Sequence, residues 1–218
     1  MIKKLQALKA KKGFTLVELI VVIAIIGVLA AILVPTMLGY VTSSRVTSAN
    51  STAASIKNNI DSFLTSCDTA GYGMLKGSSQ AATFTITVSG GTWTVGNNAA
   101  TTAFKNANGK TWGTSATGTA GASKASVTDP NGLLAIELAD LFPEIDTASI
   151  IAYCEGGKTM AVAYTADKGT GLTAGTDCPS ISAGGFGASF AWDGSTAGVS
   201  STGFIVGTAP TVPLGNGS

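Results

Sequence analysis

The sequence predicts an α+β fold: one long N-terminal helix followed by a mainly antiparallel, β-rich body. Three observations lead there. Apolar residues keep a helical spacing from residue 14 to residue 65. Beyond residue 80, runs of alternating apolar and hydroxyl side chains are separated by Gly pairs. Only one further stretch, after Asp129-Pro130, reads as helix. No internal repeat at a solenoid period is present.

The helix opens with an apolar block. From Phe14 to Val34 there are 21 residues with a single charge, Glu18. As a helix this block would be about 31 Å long, the thickness of a bilayer core. Lys3, Lys4, Lys9, Lys11 and Lys12 precede it without an acid, and only Arg45 closely follows it. The positive-inside rule then holds residues 1–13 in the cytoplasm and sends the C-terminal body outward. An ordinary secretory signal would have a shorter apolar stretch, of about 7–15 residues, ending in a small-residue cleavage site. A plain single-span anchor would not need Glu18, because a carboxylate inside the span costs a few kcal/mol and invites a partner.

Gly27, Pro35 and Gly39 interrupt an otherwise good helix, and Pro35 predicts a kink near residues 31–35. Residues 36–66 continue as an amphipathic helix. Ala49, Ala53, Ile56, Ile60 and Phe63 are spaced four, three, four and three apart, so they share one face that reads as core.

The body follows as residues 67–218. "TFTITV" (83–88) and "TWTV" (92–95) flank Gly90-Gly91 and read as a hairpin. Residues 99–128 are rich in Ala, Thr, Gly, Ser and Asn and read as a surface loop or insertion. A short helix runs from Pro130 and is ended by Pro143. "ASIIAY" (148–153) and "TMAVAYT" (159–165) form a second hairpin across Glu155-Gly156-Gly157. "FGASFAW" (186–192) and "GFIVG" (203–207) are the expected last strands, joined through Asp193-Gly194.

Composition narrows the function. The 218 residues are 45% hydrophobic and 11% charged, with no His. Such a chain can bury a core and is not disordered. The missing His removes Ser-His-Asp and Cys-His catalysis and His-based metal sites. Residues 14–218 hold eight basic and twelve acidic side chains, net −4, which gives no electrostatic footprint for nucleic acid. No catalytic residue, cofactor or metal site is expected. Glu137, Asp140, Glu144 and Asp146 lie on a helix and its end and read as a solvated face. The Gly-rich region of Asp167 and Asp177 could take Ca²⁺ but matches no binding motif.

Three cysteines leave one odd in any pairing. For an exported chain the preferred disulfide is Cys154–Cys178, because 23 residues lie between them and Cys154 ends a strand. That closure would contribute on the order of 3 kcal/mol. Cys67 is the alternative partner.

"KKGFTLVELIVVIAIIGVLAAILVP" resembles the N-terminal signal of type IV pilins and type II secretion pseudopilins. The resemblance implies cleavage after Gly13, N-methylation of the new terminus at Phe14, and Glu18 at the fifth mature position. It also implies that Glu18 pairs with the freed α-amine of a neighbouring subunit. An intrachain pairing competes with that, since residues 14 and 18 are four apart. The stretch from Gly27 to Pro35 would be an assembly element that unwinds in the filament. Many pilins close a C-terminal loop with a disulfide, which the 40 residues after Cys178 fit only loosely.

The resemblance further implies a helical homo-oligomeric filament, a prepilin peptidase that also methylates, a membrane platform protein and a separate assembly ATPase. The chain itself has no Walker-type phosphate loop. The expected function is therefore a structural subunit, first anchored by one span in the cytoplasmic membrane and then extracellular. Three alternatives stand beside a major pilin. They are a secretion pseudopilin, a minor pilin, and a membrane-anchored extracellular enzyme or binding protein.

Overall fold

The structure is a computed structural model that describes residues 14–70, 81–97, 112–182, 184–187, 190, 192 and 197–213. It is α+β, as the sequence predicts. Helix α1 runs from Leu16 to Thr69 and contains Pro35. The chain divides into two compact units, and the body is Ser44–Ser218.

Within the body, the C-terminal part of α1 buries Val46, Ala49, Ala53, Ile56, Ile60, Phe63, Leu64 and Cys67. The predicted face is the observed one, extended by one turn at each end. It packs on a six-stranded antiparallel sheet. The strands are β1 (Ala81–Ser89), β2 (Thr92–Asn97), β3 (Ser115–Gly118), β4 (Thr147–Glu155), β5 (Lys158–Thr165) and β8 (Gly207–Ala209), in spatial order β3-β2-β1-β4-β5-β8. Helix α2 (Pro130–Leu141) covers β2 and β3 on the same side.

Both predicted hairpins form. Gly90 and Gly91 turn at φ 55° and 70°, and Gly156 and Gly157 at 59° and 81°. Two successive positive φ values make the tight turn whose twist matches a right-twisted ribbon. Alternation then sets the faces. Phe84, Ile86 and Val88 of β1 and Trp93 and Val95 of β2 point into the main core with α1, while Thr85 is exposed on the other side. Strand β4 is buried on both faces, because a second cluster of Ile151, Ala163, Leu172, Cys178, Trp192, Val206 and Val212 covers the opposite side of β4 and β5.

Asp129 caps α2 by accepting the Asn131 N–H at 3.0 Å, and Pro130 occupies the first turn. An Asp cap saves an orphan N–H and Pro loses none there.

Two expectations are corrected. The stretch 99–128 is more than a surface loop where it is described. Trp112 is buried against Phe63 and Phe84, with ring centroids 6.1 and 5.7 Å apart, and residues 115–118 form edge strand β3. Residues 98–111 lie outside the described residues. The expected last strands are also much shorter where they are described. Strand β7 is only Gly185–Phe186 and pairs with β6 (Ile181–Ser182), while β8 begins at Gly207 and pairs with β5. Phe190 and Trp192 instead pack on each other at 4.8 Å within the second cluster. Asp193 and Gly194 lie outside the described residues.

Strand β8 approaches α1 closely. Thr208 N–H donates to Asn50 Oδ1 at 2.8 Å, and a Cβ on Gly207 would overlap the Ala49 carbonyl. Gly207→Val should therefore lower body stability by about 2 kcal/mol, as overpacking against backbone does. Thermal unfolding of the detergent-solubilised chain measures this, and an unchanged midpoint would rule out the close approach.

Candidate functional site: the exposed apolar helix start

Nineteen large apolar side chains between Phe14 and Val41 are exposed, among them Phe14 at 86% and Ile32 at 64%. Leaving so many in water costs on the order of tens of kcal/mol. A surface of this kind needs lipid or other apolar helices. The helix is long and apolar enough to cross a membrane. The exposed apolar side chains continue past Pro35 through Met37, Leu38, Tyr40 and Val41. Hydroxyls support the backbone near Pro35 and Gly39, with Thr36 donating to the Leu33 carbonyl at 2.9 Å and Thr42 to that of Leu38 at 3.1 Å.

The polar start is locally organised. Thr15 Oγ1 accepts the Glu18 N–H at 3.2 Å, while the Thr15 N–H and hydroxyl both donate to Glu18 Oε2, at 2.8 and 2.9 Å. This is a reciprocal capping box, which satisfies N-terminal donors that nothing else in a lipid setting could satisfy. Sequence reasoning singled out Glu18 and missed Thr15. The signal was there as Thr15-Leu16-Val17-Glu18, the T-x-x-E pattern ahead of an apolar run.

Glu18, Phe14, Gly27 and Pro35 all lie on or beside this one helix. Gly13 lies outside the described residues. A Cβ built at Gly27 or Gly39 would meet nothing within 4 Å, so neither Gly is required by the chain's own packing.

The three cysteines fall in two separate places. Cys67, Cys154 and Cys178 are all free thiols. Cys154 faces the main core with Cys67, whereas Cys178 sits in the second cluster on the other side of the sheet. A sheet therefore separates the two expected partners. Burial pushes each thiol up to about 12, far above the ordinary value. Thiols of this kind are almost wholly protonated at neutral pH and react slowly. At pH 8, a thiol reagent should leave the native protein unlabelled and should label three sites after denaturation. Rapid labelling of the native chain, or a two-proton mass deficit without reductant, would contradict this arrangement.

The Asp167–Asp177 region is a clamp. Asp177 is 3% exposed and receives Lys168 Nζ at 2.7 Å, the Thr173 N–H at 2.9 Å and the Thr202 hydroxyl at 3.3 Å. Asp167 accepts the Ile205 N–H at 3.0 Å. Lys168 thus neutralises the more buried acid. Asp140 accepts the Gly121 N–H at 2.7 Å and pairs with Lys124 at 3.4 Å. Among the described residues no group of three acids, His or Cys could hold a metal.

Burial pushes the Asp177 carboxyl up, but the Lys168 hydrogen bond, the Thr173 N–H, the Lys168 charge and the Thr202 hydroxyl together hold it below its ordinary value. With the folded value depressed, the stabilisation is present above the unfolded value of about 4 and is lost as pH falls through the folded value. Lys168→Ala should destabilise by about 3 kcal/mol at pH 7, since it strands a buried carboxylate, and by less near pH 3. A variant whose deficit is the same at both pH values would exclude the clamp.

Taken together, the structure holds an apolar helix long enough to cross a membrane, headed by a capping box and continuing into an α+β body. Residues 8–34 match the family described as the prokaryotic N-terminal methylation motif. Over 57 residues the chain is 47% identical to a fimbrial protein of Pseudomonas aeruginosa and 46% identical to the type IV major alpha-pilin of Moraxella bovis. These matches cover 26% of this chain and 37% and 36% of those proteins. The type IV major fimbrial protein FimA of Dichelobacter nodosus is 43% identical over 54 residues, covering 25% of this chain and 35% of that protein. The chain thus spans little more than a third of the length of the curated relatives it matches. No solved structure is significantly similar. The chain thus carries the N-terminal methylation motif at residues 8–34, and its similarity to these fimbrial proteins extends over about a quarter of its length.

Proposed function

We propose that this chain is the precursor of a structural subunit of a type IV pilus. A prepilin peptidase removes residues 1–13 by cutting after Gly13 and methylates the new amine of Phe14. The apolar helix holds the subunit in the cytoplasmic membrane with its body outside. Residues 14–35 then leave lipid for a bundle of like helices, and the subunits form a helical extracellular filament. A membrane platform protein and a separate ATPase supply the site and the work of extraction.

The observation that carries this reading is the capping box at the head of an uncovered apolar helix. Thr15 holds one oxygen of Glu18, and cleavage places an ammonium group at Phe14, one residue before Thr15. In the proposed filament the Glu18 carboxylate meets the Phe14 ammonium of a neighbouring subunit, since a charge entering an apolar bundle needs a hydrogen-bonded counter-charge. That pairing fixes the axial stagger between subunits, as single polar positions fix register in helical bundles. Gly27, Ala30 and Ala31 allow close approach of the helices. The stretch from Gly27 to Pro35 gives way as they pack.

Glu18→Ala should leave the protein exported and cleaved, with residue 14 as the mature terminus, and should reduce surface filaments by at least tenfold in electron micrographs. Filaments in normal number from that variant would overturn the role of Glu18. A mature terminus other than residue 14 would overturn the function.

A further inference from the structure

Among the described residues of the body, Leu141 is the single large apolar side chain that is exposed, at 47%. It ends α2, and the chain turns directly after it. The Ile145 N–H donates to the Phe142 carbonyl at 3.1 Å, which puts Pro143 and Glu144 at the two central positions of the turn. Proline presets φ at the first of them. Phe142 stacks on Trp93 with ring centroids 6.4 Å apart, and Ile145 is buried in the main core. Between these two anchors Pro143 and Glu144 are exposed, beside Leu141. The result is a fixed projection that is both apolar and acidic, and exposed Asp146 adds a second negative charge. Among the described residues neither Glu144 nor Asp146 forms an ion pair.

The body also has a groove of the opposite charge. Ala54, Lys57, Asp61, Lys158, Met160 and Pro210 line an open space of about 500 Å³. One carboxylate organises its cations. Asp61 Oδ2 takes Lys57 Nζ at 3.2 Å, and Asp61 Oδ1 accepts the N–H of Thr159, the residue after Lys158. The two lysines therefore flank Asp61. Lys57 is engaged there, whereas Lys158 is exposed and among the described residues forms no ion pair. Ala54, Met160 and Pro210 give the groove an apolar floor beside that free cation.

Projection and groove lie at opposite ends of the sheet. Asp146 precedes Thr147, the first residue of β4, and Lys158 pairs with Glu155, the last. The strand puts about 27 Å between them. The projection cannot reach the groove of its own body, but a second copy can supply it.

We propose that the projection Leu141–Asp146 of one body docks in the Lys57–Lys158 groove of a second copy of this chain. Leu141 and Pro143 cover Met160 and Pro210, and the Glu144 carboxylate pairs with the Lys158 ammonium. The projection is already fixed by Phe142 and Ile145, so little order is lost on docking. Because the two patches differ and lie apart, each copy can use both at once. A head-to-tail contact of this kind extends into an open helical array unless its rotation closes a ring. The inference deepens the filament reading above by naming a contact between bodies, and it rests on that reading for the setting in which copies meet.

The test uses the full chain in cells that express it. Leu141→Cys and Ala54→Cys are combined in one chain, the cells are treated with a mild thiol oxidant, and the products are resolved without reductant. The native cysteines are buried and stay out of the reaction. A ladder of dimers, trimers and larger species should appear, and either substitution alone should give monomer. Added to the cysteine pair, Glu144→Lys or Lys158→Glu should lower the cross-linked fraction about fivefold, and the two reversals together should restore it. Circular dichroism of the purified variants checks that each is folded. Absence of the ladder, dimers from a single cysteine substitution, or a double reversal that stays as low as the single ones would overturn the assignment. Micrographs and the mature terminus of the same cells read the filament separately. Filaments without a ladder would defeat this inference and leave the proposed function standing, and a ladder from a chain that is not cut after Gly13 and forms no filaments would do the reverse.

Discussion

The rest of the molecule depends on one imbalance: the large apolar side chains from Phe14 to Val41 are exposed. The body's main core is already complete, with α1 from Ala49 to Cys67, four β1 side chains and α2 filling one side of the sheet. Since apolar area is the largest favourable term in folding and association, that helix start must be in lipid or among other apolar helices. The same element therefore serves two environments. Its C-terminal half is fixed by packing, and its N-terminal half is left for exchange.

The body is built to hold α1 firmly. Ala49 and Ala53 let β8 and the sheet come close, and Gly207 has no side chain where one would strike the helix backbone. Asn50 takes the Thr208 N–H, and Asp61 takes the Thr159 N–H. These two polar ties are about three turns apart on the helix and reach β8 and β5. On the other face, short strands and loops cover β4 and β5 and are joined by the Asp177–Lys168 pair. A central strand buried on both sides is mostly apolar, which is why β4 reads "ASIIAY" and not as an alternating strand, with the buried Ser149 hydroxyl accepting the Gly171 N–H.

The legible parts of the sequence were those in which local and global preferences agree. Both hairpins carry Gly-Gly at positions that need positive φ, and their arms alternate or are continuously apolar. The 49–63 stripe repeats at helical spacing, and Asp129-Pro130 announces α2 with a cap and a first-turn proline. What stayed hidden depended on distant contacts. Trp112 lies in a polar, low-complexity stretch, and only its fit between Phe63 and Phe84 makes it core. Strand β8 is three residues long, too short for a periodic signal, and its pairing with Val162–Tyr164 is set by tertiary packing. At the helix start, attention to one carboxylate hid the four-residue motif that holds it.

That motif bears on the order of events in the proposed assembly. A bare carboxylate entering a bilayer or a helix bundle loses its water and pays heavily for it. Here one Glu18 oxygen already has two donors from Thr15 before any partner arrives, so the subunit can dwell at the membrane with Glu18 satisfied. The Phe14 nitrogen in the precursor is an amide, held in peptide linkage to Gly13, and carries no charge. Proteolysis turns it into an ammonium and removes five lysines in the same step. Only then does the chain own both halves of an ion pair. The carboxylate prepared by the capping box and the cation made by cleavage together give a subunit that is stable alone in lipid but can dock only after processing.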